Sequence, residues 1–443
     1  MERAIYAKLL EWKDSSDRKP LILLGARQVG KTYVLRQFGE REFGNMVYIN
    51  CHNNAFMDSL FSDFDISRIL YQIGVYTGQK ILPGKTLLFF DEIQEIHNGI
   101  ASLKYFCEDR RELHVVVAGS LLGISLKEDE SFPVGKVNTL RMFPMTFTEF
   151  LVASGREELA DAIGNLDYDT MRMLDAECTE RLRQYFFTGG MPEAVDKWLK
   201  TNDVKATRKI HNEILEAYYM DFAKHTKTLV RHIRMVWDSI PAQLAKENKK
   251  FIFGLVKKGA RAAQFEEALQ WLVDAGLVIR VNRCQVPRQP LKFYVDASAF
   301  KVYLLDCGLL ATLCETEPAD ILLGSKAFVE FKGAFAENYV LQQLTATQGF
   351  YTYYYSKDNS TQEVDFLVQT PDRIVPVEVK AEENVKSKSL STFINEDNKS
   401  LGFKGLRCSM KSYVDQGWME NIPLYAVESY FRQMGRLASG KVF

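Results

Sequence analysis

The sequence predicts a multidomain α/β protein, and three observations predict it. A buried-strand pattern, Leu21-Ile22-Leu23-Leu24, runs into a glycine-spaced loop that ends in Lys31-Thr32 and continues as a helix. A second apolar run, Thr86-Leu87-Leu88-Phe89-Phe90, ends in two carboxylates, Asp91 and Glu92. Far downstream, Gln362-Glu363-Val364-Asp365-Phe366-Leu367-Val368 and Ile374-Val375-Pro376-Val377-Glu378-Val379-Lys380 have the pattern of two adjacent strands joined by a turn at Thr370-Pro371-Asp372-Arg373.

Composition sets the bounds. With 443 residues, 47% hydrophobic and 26% charged, the chain has material for about two to four domains. No apolar run reaches the ~18–20 residues that span a bilayer, so no membrane contact is expected. The start, Met1-Glu2-Arg3-Ala4-Ile5-Tyr6, has no apolar segment with a cleavage site, and a cytoplasmic protein is expected. Cysteines at 51, 107, 178, 284, 307, 314 and 408 lack Cys-x-x-Cys spacing, which favours reduced core thiols over disulfides or zinc.

Taken in order, Ile5, Leu9, Leu10 and Trp12 form a helical stripe, broken by Asp14-Ser15-Ser16-Asp17, and this helix is expected beside a nucleotide pocket. The loop Gly25-Ala26-Arg27-Gln28-Val29-Gly30-Lys31-Thr32, with Tyr33 following, has the spacing of a P-loop. Gly25 and Gly30 permit the tight turn that aims backbone N–H groups and a helix N-terminus at phosphates. Lys31 would reach the β/γ-phosphates and Thr32 would present its hydroxyl to Mg²⁺, so ATP and Mg are the expected ligands. Met46 to Asn50 is a second strand, and 55–82 is mostly helical. Asp91, at the end of its buried strand, would hold Mg²⁺ through water while Glu92 polarises the attacking water. Val115 to Ser120 supplies another buried strand, with Ser120 as the γ-phosphate sensor or as a turn-forming serine.

Gly25 to Thr32, Phe90-Asp91-Glu92-Ile93-Gln94, Ala118-Gly119-Ser120 and Pro144-Met145-Thr146-Phe147-Thr148-Glu149-Phe150 together resemble the widespread prokaryotic AAA+-like P-loop ATPases that carry a C-terminal domain of unknown function. The resemblance spans nearly the full length. It implies an ATPase core over 1–150, of the additional-strand type, with the sensor strand between the P-loop and Asp-Glu strands of a parallel sheet. Relatives often have Gly-Arg after the sensor strand, whereas this chain has Gly135-Lys136; Arg110, Arg111 and Arg141 are the alternative arginine fingers.

Residues 151–200 have helical patterning and are expected to form a lid. Gly189-Gly190 is expected as a hinge before a helix with Pro192 in its first turn and Glu193 on its dipole. The resemblance adds that elements like Gly190-Met191-Pro192 close over the nucleotide in related ATPases.

Within 201–300, 17 Lys and Arg face 10 Asp and Glu, in a chain of net charge −1. An amphipathic helix, Phe265 to Ala275, stopped by Gly276, leads into the strand Leu277 to Val281, and a winged-helix-like module is expected over 201–310. Lys246, Lys249, Lys250, Lys257, Lys258 and Arg261 could face DNA phosphates; the other reading is a protein-binding or lid-supporting module with a solvated basic face.

The remainder, 311–443, is expected as a separate α/β domain. Asp365, then Glu378-x-Lys380, after a helix containing Glu337, resembles the PD-(D/E)xK nuclease signature of restriction-endonuclease-like folds. Strand alternation puts Glu378 and Lys380 on one face. With Asp365 beside them, Asp365, Glu378 and Glu337 would hold a metal and Lys380 would orient the water. The plainer reading is a surface charge pair. The expected function is an ATP-hydrolysing protein acting on DNA; the alternative is an ATP-driven switch, with a protein partner or self-association, whose C-terminal domain only binds.

Overall fold

Five strands, three of them mostly apolar, organise the N-terminal part of the chain. In the computed structural model they are β1 (Leu21–Gly25), β2 (Asn45–Asn50), β3 (Thr86–Asp91), β4 (His114–Ser120) and β5 (Asn138–Arg141), in the order β2-β3-β4-β1-β5. The structure describes all residues except 53, 121–131, 224–225, 247, 325, 359–361, 382–386 and 439–443, and lacks described side chains at 55, 58, 120, 326–331 and 436–438. Two units result: Glu2–Phe143 with Asp274–Gly276, and Pro144–Val273 with Leu277–Phe443 and Met1.

In the smaller unit every strand pairing is parallel. Parallel strands need crossover helices, and those helices cover both faces, so Leu21, Ile22, Leu23, Phe89, Phe90, Val116 and Val117 are all buried. The helices are α1 (Ile5–Asp14), α2 (Lys31–Glu42), α3 (Ile66–Thr77) and α4 (Gly99–Asp109), with a further short helix before α3. Strand β4 lies between β1 and β3, as the resemblance implied. Gly25, Asp91 and Ser120 end three neighbouring strands, at the carboxyl edge where open parallel sheets bind ligands.

The larger unit starts with α5 (Phe147–Ala153), fixed by a capping box in which Thr146 Oγ1 accepts from the Glu149 N–H (3.3 Å) and Glu149 Oε2 accepts from the Thr146 N–H (2.9 Å). Five longer helices include α6 (Asp175–Thr188), α7 (Pro192–Thr201), α8 (Val204–Phe222), α9 (Lys227–Leu244) and α10 (Ala262–Asp274). Pro192 takes the first turn of α7, as expected. The preceding glycines are closely packed: a Cβ on Gly189 would lie 2.0 Å from Asp306 Oδ1, and one on Gly190 2.1 Å from the Met145 carbonyl. Close packing requires glycine there, and the Gly190 N–H donates to the buried Asp306 carboxylate at 2.6 Å.

A hairpin, β6 (Val278–Cys284) and β7 (Val295–Leu304), follows, then α11 (Cys307–Leu313), α12 (Lys326–Thr347), β8 (Tyr351–Ser356), β9 (Glu363–Gln369), β10 (Ile374–Lys380), β11 (Gly405–Ser409), β12 (Val414–Asp415), β13 (Met419–Pro423) and α13 (Val427–Ala438). One sheet, ordered β12-β13-β11-β10-β9-β8-β6-β7, contains all eight strands. The hairpin joins it where Arg283 pairs with Tyr354. Strands β8, β9 and β10 are antiparallel neighbours, and β10-β11-β13 are parallel. Among the described residues no helix is long and apolar enough to cross a membrane.

Candidate functional site

The loop between β1 and α2 is shaped by its glycines. A Cβ on Gly25 would lie 2.4 Å from the Met142 carbonyl, and Gly30 adopts φ 96°, a left-handed conformation that only glycine takes without strain. Gln28 is also left-handed (φ 66°), while Ala26 and Val29 are buried beneath the loop and Tyr33 is exposed. Lys31 opens α2 and folds back, its Nζ donating to the Gly25 and Ala26 carbonyls at 2.9 Å each. It is only 8% exposed. Burial lowers its pKa to about 8, against the raising influence of Glu92 and Asp91.

Thr32 Oγ1 donates to Asp91 Oδ2 at 2.9 Å, and the Tyr48 hydroxyl donates to the same oxygen at 3.1 Å. Burial raises the Asp91 pKa, partly offset by the Thr32 bond. A hydroxyl and a carboxylate this close form the oxygen pair that a Mg²⁺–nucleotide complex uses, so the side chains fit the ion the sequence implied. Glu92 sits just past β3 in a left-handed conformation (φ 56°, ψ 41°), and its N–H is tied to the Ala118 carbonyl at 3.0 Å. Ser120 is in register with Gly25, but its side chain lies outside the described residues.

Two contributors escaped the sequence reading. Arg3, 8% exposed, donates from Nη1 to the Val29 carbonyl (2.8 Å) and from Nη2 to the Phe143 carbonyl (2.7 Å), bracing the P-loop. An arginine ahead of an amphipathic helix carries no signal of such a role. Gln94, on the turn after β3, donates from Nε2 to Glu92 Oε2; its position two residues past the carboxylate pair was the available cue. Of the arginine-finger candidates, Arg110 bonds Ser67 (2.9 Å) and Arg111 pairs with Asp17 (3.4 Å). Both precede β4, so they lie at the amino end of the strands, opposite the P-loop. Arg141 is exposed on β5, and Lys136 pairs with Glu108 at 2.7 Å.

The Lys31 environment gives a pH prediction. Above about pH 8 the free protein carries neutral Lys31, and a bound polyphosphate restores the ammonium, so binding takes up a proton. Nucleotide affinity is expected to be flat below pH 8 and to fall about tenfold per pH unit above it. Calorimetry in buffers of different ionisation enthalpy checks the proton uptake.

The second candidate site is not assembled. Tyr353 pairs with Leu367 and Tyr355 with Val364, so Asp365 and Phe366 together oppose Tyr354 in a β-bulge. Val364 and Leu367 join Ile374, Leu390 and Phe393 in one apolar cluster. Asp365 and Phe366 turn to the other face, where the Phe366 ring meets Tyr303 (centroids 5.9 Å), whose hydroxyl donates to Glu337 at 2.9 Å. Glu378 keeps the strand parity of Ile374, and its register partner is Arg407. Asp365 instead acts on Cys408, the next residue along β11, whose thiol is raised by burial and by the Asp365 charge. The bulge therefore puts the Asp365 and Glu378 carboxylates on opposite faces, and the expected metal set of Glu337, Asp365 and Glu378, with Lys380 as its catalytic lysine, is corrected. Among the described residues no group of three His, Cys, Asp or Glu could hold a metal.

Each carboxylate has its own counter-charge. Glu378 pairs with Lys380 at 3.2 Å, and Asp365 Oδ2 accepts the Val379 N–H at 2.8 Å. Glu337 pairs with Lys249 at 2.8 Å and lies 4.0 Å from Lys301, which also pairs with Glu363. Burial pushes the Glu337 carboxyl up, and the two ammonium groups more than reverse it, leaving its pKa lowered. Asp365, buried beside that charge, is raised. Lys249 is thus an internal counterion rather than a DNA-facing residue, whereas Lys250, Lys257, Lys258 and Arg261 are exposed.

Comparison with protein families matches residues 17–151 to an AAA domain, 179–320 to a domain of unknown function (DUF8612) and 332–427 to another (DUF4143). No curated protein sequence matches the chain. Among solved structures it is similar to the Orc1 protein of Aeropyrum pernix in complex with DNA, at 13% identity and TM-score 0.30, covering 71% of this chain and 93% of that one. Cdc6p of Pyrobaculum aerophilum gives 15% identity and TM-score 0.25 over 71% of this chain and 91% of that one. A signal transduction ATPase with numerous domains and a tetratricopeptide repeat sensor, from Pyrococcus horikoshii, gives 10% identity and TM-score 0.29, over 79% of this chain and 46% of that one. The sheet order and the side chains at its carboxyl edge agree with the match of residues 17–151 to an AAA domain.

Proposed function

We propose that the protein hydrolyses ATP with Mg²⁺ and uses the nucleotide state to control a binding function of its larger unit. The observation that carries this reading is the gathering of Lys31, Thr32, Asp91 and Glu92 at the carboxyl ends of β1 and β3. Lys31 would exchange the Gly25 and Ala26 carbonyls for phosphate oxygens, and Thr32 and Asp91 would hold Mg²⁺ directly and through water. When bound, that ion neutralises charge on the phosphates. Glu92 would accept the proton of the attacking water. Ser120 remains the proposed γ-phosphate sensor and the cytoplasm the proposed location, in keeping with seven cysteines of which none forms a disulfide.

A binding rather than a cleaving C-terminal part is favoured by the lysines that already neutralise Glu337. The exposed Lys250, Lys257, Lys258 and Arg261 favour DNA as the bound partner within a winged-helix-like arrangement of helices and hairpin. DNA affinity is then expected to fall by about an order of magnitude or more between 50 and 200 mM salt. Anisotropy titrations at the two salts check it, and no binding at 50 mM points to a protein partner instead. The ATPase reading is tested by Mg²⁺-dependent phosphate release from the purified chain. Lys31→Ala is expected to abolish tight nucleotide binding, and a wild-type protein that releases no phosphate at any Mg²⁺ concentration would sink the proposal.

A further inference from the structure

Beyond the side chains proposed to contact nucleotide or ion, Gln94 has an arrangement that packing alone does not explain. It lies on the turn Ile93–Glu95, directly after the left-handed Glu92, and is 5% exposed. Its Nε2 donates to Glu92 Oε2, while its Oε1 is buried with no hydrogen-bond partner among the described residues. The amide orientation is fixed by charge: exchanging the two ends would set a carbonyl oxygen against a carboxylate. A buried acceptor left unpaired costs about 1–3 kcal/mol, so a glutamine serving only to fill space here would be better replaced by an apolar side chain. Leucine would fill a similar volume without that cost.

We infer that Gln94 is a positioning residue for hydrolysis, holding the Glu92 carboxylate in place through Nε2, with an ordered water as the donor its Oε1 lacks. The role follows from the local backbone. Glu92 projects from a left-handed residue, a conformation that costs free energy in a non-glycine residue and persists only where neighbours fix it. The backbone is fixed by the Ala118 carbonyl. The carboxylate, half-buried at the open end of the sheet, is held by Gln94. A base that must meet a water within hydrogen-bond reach gains from being held, because a misplacement of about 1 Å can cost on the order of a hundredfold in rate.

The inference rests on the proposed role of Glu92, and the experiment keeps the two apart. Single-turnover hydrolysis and nucleotide affinity, read with a fluorescent ATP analogue, are measured on the full-length protein and on Gln94→Leu, Gln94→Glu, Glu92→Gln and Glu92→Gln/Gln94→Leu. Gln94→Leu is expected to slow hydrolysis about tenfold to a hundredfold and to leave affinity within about threefold. Its effect should vanish in the Glu92→Gln background, because a residue acting through Glu92 has nothing left to position. A wild-type rate for Gln94→Leu, or an equal loss in both backgrounds, overturns the inference while the Glu92 role stands. A normal rate for Glu92→Gln overturns the Glu92 role itself. Should Gln94→Leu fail to fold, Gln94→Glu decides: its carboxylate repels Glu92 and should slow hydrolysis at least as much, and a full rate again overturns the positioning role.

Discussion

Glu92→Gln is expected to slow ATP hydrolysis by about two to four orders of magnitude, the size of a lost general base, while binding of Mg²⁺–ATP stays within about threefold of wild type. The two effects separate because different side chains carry them. In the proposed mechanism the phosphate contacts would fall to Lys31 and the loop amides, and the ion contacts to Thr32 and Asp91, which bond each other at 2.9 Å. Glutamine preserves the shape of Glu92 and its N–H bond to Ala118, yet cannot accept the proton of the attacking water. Single-turnover hydrolysis beside equilibrium titration makes the measurement. Normal turnover in this variant would contradict the role of Glu92, whereas loss of binding would mean that the substitution disturbs the loop.

Lys301→Met is expected to destabilise the larger unit by about 3–5 kcal/mol at neutral pH, the range for removing one partner of a buried ion pair. Lys301 has no exposed surface, pairs with Glu363, lies 4.0 Å from Glu337 and stands over the Tyr354 ring. Burial opposes its charge, but Glu337, Glu363 and Asp365 raise its pKa above the ordinary lysine value. A lysine with a raised folded pKa contributes stability that is complete below its unfolded pKa and is lost only as pH rises through the folded one, so the whole effect is present at pH 7. Without the ammonium, Glu363 and Asp365, both already raised by burial, protonate more readily; the deficit should therefore shrink as pH falls from 8 to 5. Adding Glu363→Gln should recover part of the loss. Urea denaturation at several pH values checks both statements, and a deficit below about 1 kcal/mol would show the cluster to be solvated, as exposed pairs are.

The N-terminal, parallel-sheet part was legible because its signals are local. Glycine spacing sets the loop, and uninterrupted apolar runs mark strands buried on both faces. The C-terminal half was legible in its elements but not in its site. Alternation along Ile374 to Lys380 put Glu378 and Lys380 on one face, but whether Asp365 stands beside them depends on cross-strand register, and a single extra residue in β9 changes that register. Lys301, within the run Ala299-Phe300-Lys301-Val302-Tyr303, offered a cue, since a lone charge in an apolar strand must find a buried partner.

By itself the sequence determined the glycine-spaced loop after β1 and the Asp91-Glu92 end of β3, because each depends on residues adjacent in the chain. Only the tertiary structure decided that Arg3 braces Val29, that Gln94 bonds Glu92, and that Lys249 and Lys301 lie against Glu337. Those outcomes depend on rotamer, register and burial, and a buried charge is settled by whichever opposite charge the fold brings nearest, which no spacing in the chain encodes.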